Sequence, residues 1–197
     1  MSRPLILPKS GNFEYEEKRS KFIGYCTTVK NEPEAKAVIV QIRAAHPKAN
    51  HNVFAYSTVE DCIVRMSDDG EPSGTAGMPV LNVFQKTGII NYVCVVTRYF
   101  GGTPLGAGGL VRAYSKTAKG ALEDATPEEL IIKKLYRLTC AYNRFDRTKY
   151  NLEKLGVPIL QADYTTHCTL VVEVTEFQEE KFLDSEIYTV EEIFRPE

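Results

Sequence analysis

The chain opens with polar and apolar residues in alternation. Phe13 and Tyr15 alternate with polar neighbours over residues 12–19, NFEYEEKR, and residues 21–29, KFIGYCTTV, are rich in strand formers. This period of two predicts two strands. The period then lengthens. Ala35, Val38, Ile39, Ile42 and Ala45 recur at helical spacing, Asn31 stands at the N-cap position with Glu34 three residues on, and Pro47 closes the segment. A capped helix over 31–47 is expected. Strands are predicted near 52–58 and 61–66 with a turn at 59–61. A helix is predicted within 75–88, where Pro79 is tolerated near the start and Gly88 ends it. Residues 91–97, NYVCVVT, form a nearly continuous apolar run, the mark of a strand buried on both faces. A further helix follows over 110–124, with Leu110, Val111, Tyr114, Ala118 and Leu122 as its apolar stripe.

Residues 123–129, EDATPEE, have the composition of a linker. Beyond them the expected order is strand (130–141), helix (144–155), strand (157–164), strand (167–175), helix (176–184), strand (186–193). That is the split β-α-β-β-α-β arrangement of ferredoxin-like domains. The fold class expected is therefore α+β in two domains, residues 1–125 and 126–197.

Composition narrows the setting. A hydrophobic content of 43% and a charged content of 25% suit a globular protein with a real core. No apolar run is long enough for a membrane span, and Pro4 and Pro8 interrupt the short greasy stretch at the start, so neither a membrane anchor nor a secretory leader is expected. The five cysteines lie far apart with no CxxC pair, which argues against a zinc cage or a disulfide framework and for a reducing, cytoplasmic setting. The first 125 residues carry 15 Lys and Arg against 12 Asp and Glu, the remainder 9 against 14. An anionic partner would thus meet the first part.

Two stretches carry candidate chemistry. RYFGGTPLGAGGLVRAY, residues 98–114, joins the buried strand to a helix through Gly101, Gly102, Gly106, Gly108 and Gly109, with Arg98 before the turn and Arg112 one helical turn inside. Bare amides at a helix start, approached over glycines, cradle phosphate, and arginines add charge-assisted hydrogen bonds. Two familiar glycine motifs fail here: Ala107 replaces the lysine of a Walker A loop, and Val111 breaks the dinucleotide fingerprint. The second stretch, SDDGEPSGTAGMP over 67–79, brings Asp68, Asp69 and Glu71. These could hold Mg²⁺, act as acid or base, or be structural, capping helix N-termini and pairing with Arg65, Arg98 or Arg112, and fixing the arginines is the preferred use. Ser73 and Thr75 stand just before a helix, so at least one is expected as its N-cap. If the strands before the two loops run the same way, both loops meet at one sheet edge, and His51, opening a strand, can face that edge too. No Ser–His–Asp or Cys–His set can be picked out, so no catalytic residue is assigned.

HNVFAY, SDDGEPSGTAGMPVL and VVTRYFGGTPLGAGGLVRAYSKTA, taken together, resemble the signature of the IMPACT/YigZ family. The resemblance implies a first domain folded like domain IV of elongation factor G and the GHMP-type small-molecule kinases, and a ferredoxin-like second domain. GHMP-type kinases hold nucleotide phosphate at a glycine-rich helix start, but the serines of their motif are missing from LGAGGLVRA, which argues against kinase activity. The eukaryotic relative regulates translation. The expectation is a translation-associated binding protein contacting RNA phosphate or a ribosomal surface, with ribosome-associated proteins as further partners. Its alternatives are an enzyme or sensor for a small phosphorylated ligand with Mg²⁺, and a protein–protein adaptor. No cofactor other than that candidate Mg²⁺ is expected.

Overall fold

The structure, a computed structural model, describes residues 3–164, 167–183 and 188–193. The chain divides into two compact units, residues 1–130 and 131–197. In the first, β1 (Leu5–Ile6), β2 (Gly11–Glu17) and β3 (Ser20–Thr28) precede α1 (Glu32–Ala45). Then come β4 (His51–Thr58), β5 (Ile63–Ser67), α2 (Gly77–Thr87), β6 (Tyr92–Tyr99), α3 (Ala107–Asp124) and β7 (Glu128–Glu129). Five strands form one antiparallel sheet in the order β2-β3-β6-β4-β5.

The central strand explains the layers. Every residue of β6 from Tyr92 to Arg98 is buried. Val93 and Val95 pack with Ala35 and Ile39 of α1 on one face. Tyr92, Cys94 and Val96 pack with Val80 and Phe84 of α2 and Tyr114 and Ala118 of α3 on the other. Burying each such aliphatic side chain contributes about 1.5–3 kcal/mol, so β6 anchors both helix layers. Burial also pushes the Cys26 thiol up to about 12, which keeps it protonated and inert.

Local signals set α1. Asn31 Oδ1 accepts from the Glu34 amide at 3.1 Å, and the Glu34 carboxylate accepts from the Lys30 amide at 2.8 Å. The expected linker at 123–129 is not one. Residues 123 and 124 end α3, and β7 pairs with β1 through Leu5↔Glu129 and Ile6↔Glu128. The polar composition there reflects an exposed two-residue strand, and the boundary between units falls after Leu130. Val111, expected in the α3 stripe, is 38% exposed; Ala113, Thr117 and Ala121 complete the buried face instead.

The second unit contains β8 (Lys133–Cys140), α4 (Phe145–Leu155), β9 (Ile159–Tyr164), β10 (Cys168–Thr175), α5 (Glu176–Leu183) and β11 (Thr189–Ile193). Its sheet runs β11-β8-β10-β9, all antiparallel, which is the ferredoxin-like order. Residues 168, 170, 172 and 174 of β10 are buried with Leu152 and Phe182, while 169, 171, 173 and 175 lie on the open face. Gln178 fastens α4 to α5: its amide nitrogen donates to the carbonyls of Leu155 and Gly156, and its oxygen accepts from Thr175. Residues 165–166, beside the expected turn at His167, and 184–187, where the last helix and strand were expected to end and begin, lie outside the described residues.

The β2–β3 hairpin closes through a two-residue turn, Lys18-Arg19, with φ of 48° and 65°. Both values fall in the left-handed region, which costs a residue with a Cβ about 1 kcal/mol or more. Replacing Lys18-Arg19 with Asn-Gly is therefore expected to stabilise the fold by about 1–2 kcal/mol. Urea unfolding would show a higher midpoint at an unchanged m value.

Candidate functional site

Because β5 and β6 both run antiparallel to β4, they run parallel to each other. The loops that follow them therefore emerge at one sheet edge. His51, paired with Arg98 across β4 and β6, opens β4 at that edge, and the Lys18-Arg19 turn and Ser20 lie there too.

Arg98 does not face outward. It shares its parity with Tyr92, Cys94 and Val96, so it points beneath α3 and is only 5% exposed. Its Nη1 donates to Glu71 Oε1 at 2.6 Å and its Nη2 to Ser20 Oγ at 3.3 Å. Tyr114 of α3 donates to the same Glu71 oxygen at 2.7 Å. Burial, reinforced by that carboxylate, holds the Tyr114 phenol far above its ordinary value, so it stays a donor. A free anion cannot reach Arg98, because Glu71 already neutralises it inside the protein.

His51 Nδ1 lies 2.8 Å from the Asp69 carbonyl oxygen; that oxygen can only accept, so Nδ1 carries a proton. Nε2 faces Glu71 Oε1 at 3.8 Å. Asp69 accepts from Arg43 Nη2 and from the Asn52 amide, both at 2.6 Å.

Neither Ser73 nor Thr75 caps α2. The N-cap residue is Ala76, which has no capping side chain; Ser73 is exposed and Thr75 donates to the Pro72 carbonyl. The cap comes from Asp68, eight or nine residues upstream. Its Oδ1 accepts from the amides of Ala76 and Gly77 at 3.0 and 2.8 Å, and its Oδ2 from Gly74 at 2.9 Å. Burial alone would raise its pKa, but the three amides outweigh it and hold the carboxyl below its ordinary 3.8. Asp68, Asp69 and Glu71 thus serve three different partners, and among the described residues no group of three potential metal ligands converges.

The glycine turn divides into two parts. Gly101 is packed: a Cβ there would lie 2.0 Å from the Arg19 carbonyl carbon. Gly102, Gly106 and Gly108 face open space, while Gly109 lies against Leu105. Gly106 is the N-cap of α3, with φ 74° and ψ 164°, a conformation all but reserved for glycine. No side chain caps this helix and no acid occupies its first turn. The helix begins at Ala107, three residues earlier than expected, so the amides of Ala107, Gly108 and Gly109 have no acceptor within it.

Beside this start lies a cleft of about 370 Å³ lined by Tyr15, Glu17, Lys18, Leu105, Gly109, Arg112 and Ala113. Lys18, Arg19 and Arg112 are all exposed and, among the described residues, none forms an ion pair. The Glu17 carboxylate in the cleft accepts from the Tyr15 hydroxyl, and Lys116 lies over the Tyr15 ring at 4.0 Å. Lys18 and Arg19 were not among the expected site residues. Their one signal in sequence is a charged pair between two strand patterns.

Fold and edge together define an α+β protein of two units, with an uncapped, glycine-started helix beside exposed cations in the first and a ferredoxin-like second. The Impact N-terminal domain matches residues 18–122. An IMPACT family member of Haemophilus influenzae is 35% identical over 90% of this chain and 88% of its own length. The IMPACT family member YvyE of Bacillus subtilis is 36% identical over 88% of this chain and 78% of its own. YigZ of Escherichia coli is 34% identical over 80% of this chain and 78% of its own. A crystal structure described as that of a hypothetical protein is similar over the whole of both chains, at 29% identity and a TM-score of 0.63. The chain belongs to the IMPACT family.

Two outcomes are expected. Asp68→Ala should cost about 0.5–2 kcal/mol at neutral pH through loss of the α2 cap. Because the folded pKa lies below the unfolded value, Asp68's contribution is present above about pH 4 and lost as pH falls through the folded pKa. The gap between wild type and variant, followed by urea unfolding, should therefore close in acid. Glu71→Gln should cost about 3–5 kcal/mol by leaving a buried guanidinium uncompensated, whereas Glu71→Leu with Arg98→Met should cost clearly less. Thermal unfolding of the three proteins checks the order.

Proposed function

We propose that this protein is a non-enzymatic, translation-associated binding protein that contacts RNA phosphate, free or on a ribosomal surface, through the edge around the α3 start. The observation that carries the reading is the meeting of two exposed cations, Lys18 and Arg112, with the uncapped start of α3 at one cleft, Arg19 standing next to Lys18 in the same turn. The elongation-factor-like architecture implied by the family resemblance supports the link to translation. In this reading Arg112, Lys18 and Arg19 meet phosphate, the amides around Gly108 and Gly109 donate to its oxygens, and Gly102 and Gly106 keep the approach open. Arg98, expected to touch the anion, instead positions: with Gly101, Glu71, Asp68, Asp69 and His51 it holds the edge in shape. Ser73 and Thr75 have no part in phosphate contact.

A second reading rests on the cleft itself, whose volume of about 370 Å³ lies at the small end of the range for small-molecule sites. A small phosphorylated ligand would use the same cations.

Fluorescence anisotropy with a short oligoribonucleotide across a salt series tests the first reading. The affinity should fall with salt, log K against log salt sloping by about −0.7 for each phosphate neutralised on a single strand. Lys18→Gln, Arg19→Gln and Arg112→Gln should each flatten that slope by roughly one such increment. Binding indifferent to salt, or to all three substitutions, would sink the reading. A thermal shift with a nucleoside phosphate in a protein that binds no RNA would transfer the site to the second.

A further inference from the structure

We infer that Phe100 is a stacking platform for an unpaired nucleobase, which makes single-stranded RNA the preferred ligand of the edge. The inference rests on the RNA reading above and adds the class of RNA.

Phe100 follows β6 directly and is 46% exposed, although β6 is buried from Tyr92 to Arg98. Isolated exposed apolar residues are common on protein surfaces. This one is distinguished by how it is held. The Phe100 amide donates to Asn50 Oδ1 at 2.8 Å, and the Asn50 amide donates to the Arg98 carbonyl at 2.9 Å, so the backbone under the ring is pinned to the start of β4. The Arg98 guanidinium carbon lies 5.5 Å from the Phe100 ring centroid and 5.4 Å from that of buried Phe22. Arg98 is itself fixed by Glu71 and Ser20. An exposed ring is therefore backed by a cation fixed by its own partners, on a backbone that is pinned before any ligand arrives. Preorganisation of this kind removes the entropy cost that weakens binding by a mobile side chain.

The surroundings point to nucleic acid. Gly101, the next residue, packs against the Arg19 backbone, so the chain at Phe100 runs beside the Lys18-Arg19 turn. An aromatic face next to unpaired cations is the combination that binds single strands: the cations follow phosphates and the ring takes a base, whatever its identity. A duplex keeps its bases stacked on one another and offers the ring nothing but a helix end.

The chain contains no tryptophan, so Phe100→Trp places a single reporter at the site. Titration with a single-stranded oligouridylate of about eight nucleotides should quench its emission, with the same midpoint as anisotropy on the same sample. A blunt duplex of equal length should not quench it. Phe100→Leu should weaken the single strand about five- to hundredfold and leave duplex binding and salt slope unchanged. Salt-dependent binding with no quenching, and with Phe100→Leu equal to wild type, would overturn the stacking inference and leave the phosphate reading standing. Absence of binding to both RNA forms would overturn the two together.

Discussion

The buried pair between Arg98 and Glu71 organises the sheet edge where the loops after β5 and β6 meet. Both side chains are withdrawn from water, and the desolvation of two charges is recovered only where geometry is good and the remaining hydrogen bonds are satisfied. Here the 2.6 Å contact is joined by Tyr114 on the acid and Ser20 on the base. Those four residues come from β6, the loop after β5, α3 and the start of β3. Removing Arg98 or Glu71 leaves the other's charge uncompensated away from water, and removing Tyr114 or Ser20 takes a hydrogen bond from one of them, so the four elements are held in one arrangement. The Arg98 Nε has no partner among the described residues, a remaining cost that the two flanking rings offset in part.

This pair explains why a long polar loop persists after β5. Glu71 is drawn down under α3, and residues on either side are then placed to serve the backbone. Asp68 reaches the bare amides of α2, and Asp69 takes the Asn52 amide and Arg43. The acids are spent inside the protein. As a result these three acids do not compete for Lys18, Arg19 and Arg112, which are exposed and form no ion pair among the described residues, although the chain as a whole carries a net charge of −2. Local field, more than total charge, determines where an anion is drawn.

How much of this was legible in the sequence depends on the range of each interaction. The cap of α1 is a contact between residues three apart, and it was read correctly, as were the doubly buried β6 and the β-α-β-β-α-β order. The α2 cap was legible only in part: a capping role for the loop's acids could be read, but not that Asp68 takes it in place of Ser73 or Thr75, because it acts from eight and nine residues away across a turn that only the folded loop closes. Arg98 was readable in principle: extending the alternation Tyr92, Cys94, Val96 by one step puts it inside. Charge suggested the outside, and parity prevailed because a buried acid was available. The Lys18-Arg19 turn escaped notice because it lacks the Asn or Gly that usually marks left-handed hairpin turns.

The three helices of the first unit end differently at their N-termini, and the difference bears on the site. Asn31 caps α1 and Asp68 caps α2, while α3 starts on Gly106 with no cap at all. A serine or aspartate at position 106 would ordinarily contribute about 1 kcal/mol, but the backbone there, at φ 74° and ψ 164°, is strained for any residue bearing a Cβ. That conformation directs the chain back from the strand end so that the first turn of α3 opens onto the Lys18 cleft. The same geometry that forbids an internal cap leaves the amides and the adjoining cations facing solvent together. An anion arriving there would supply the acceptor that the polypeptide, by its own stereochemistry, cannot.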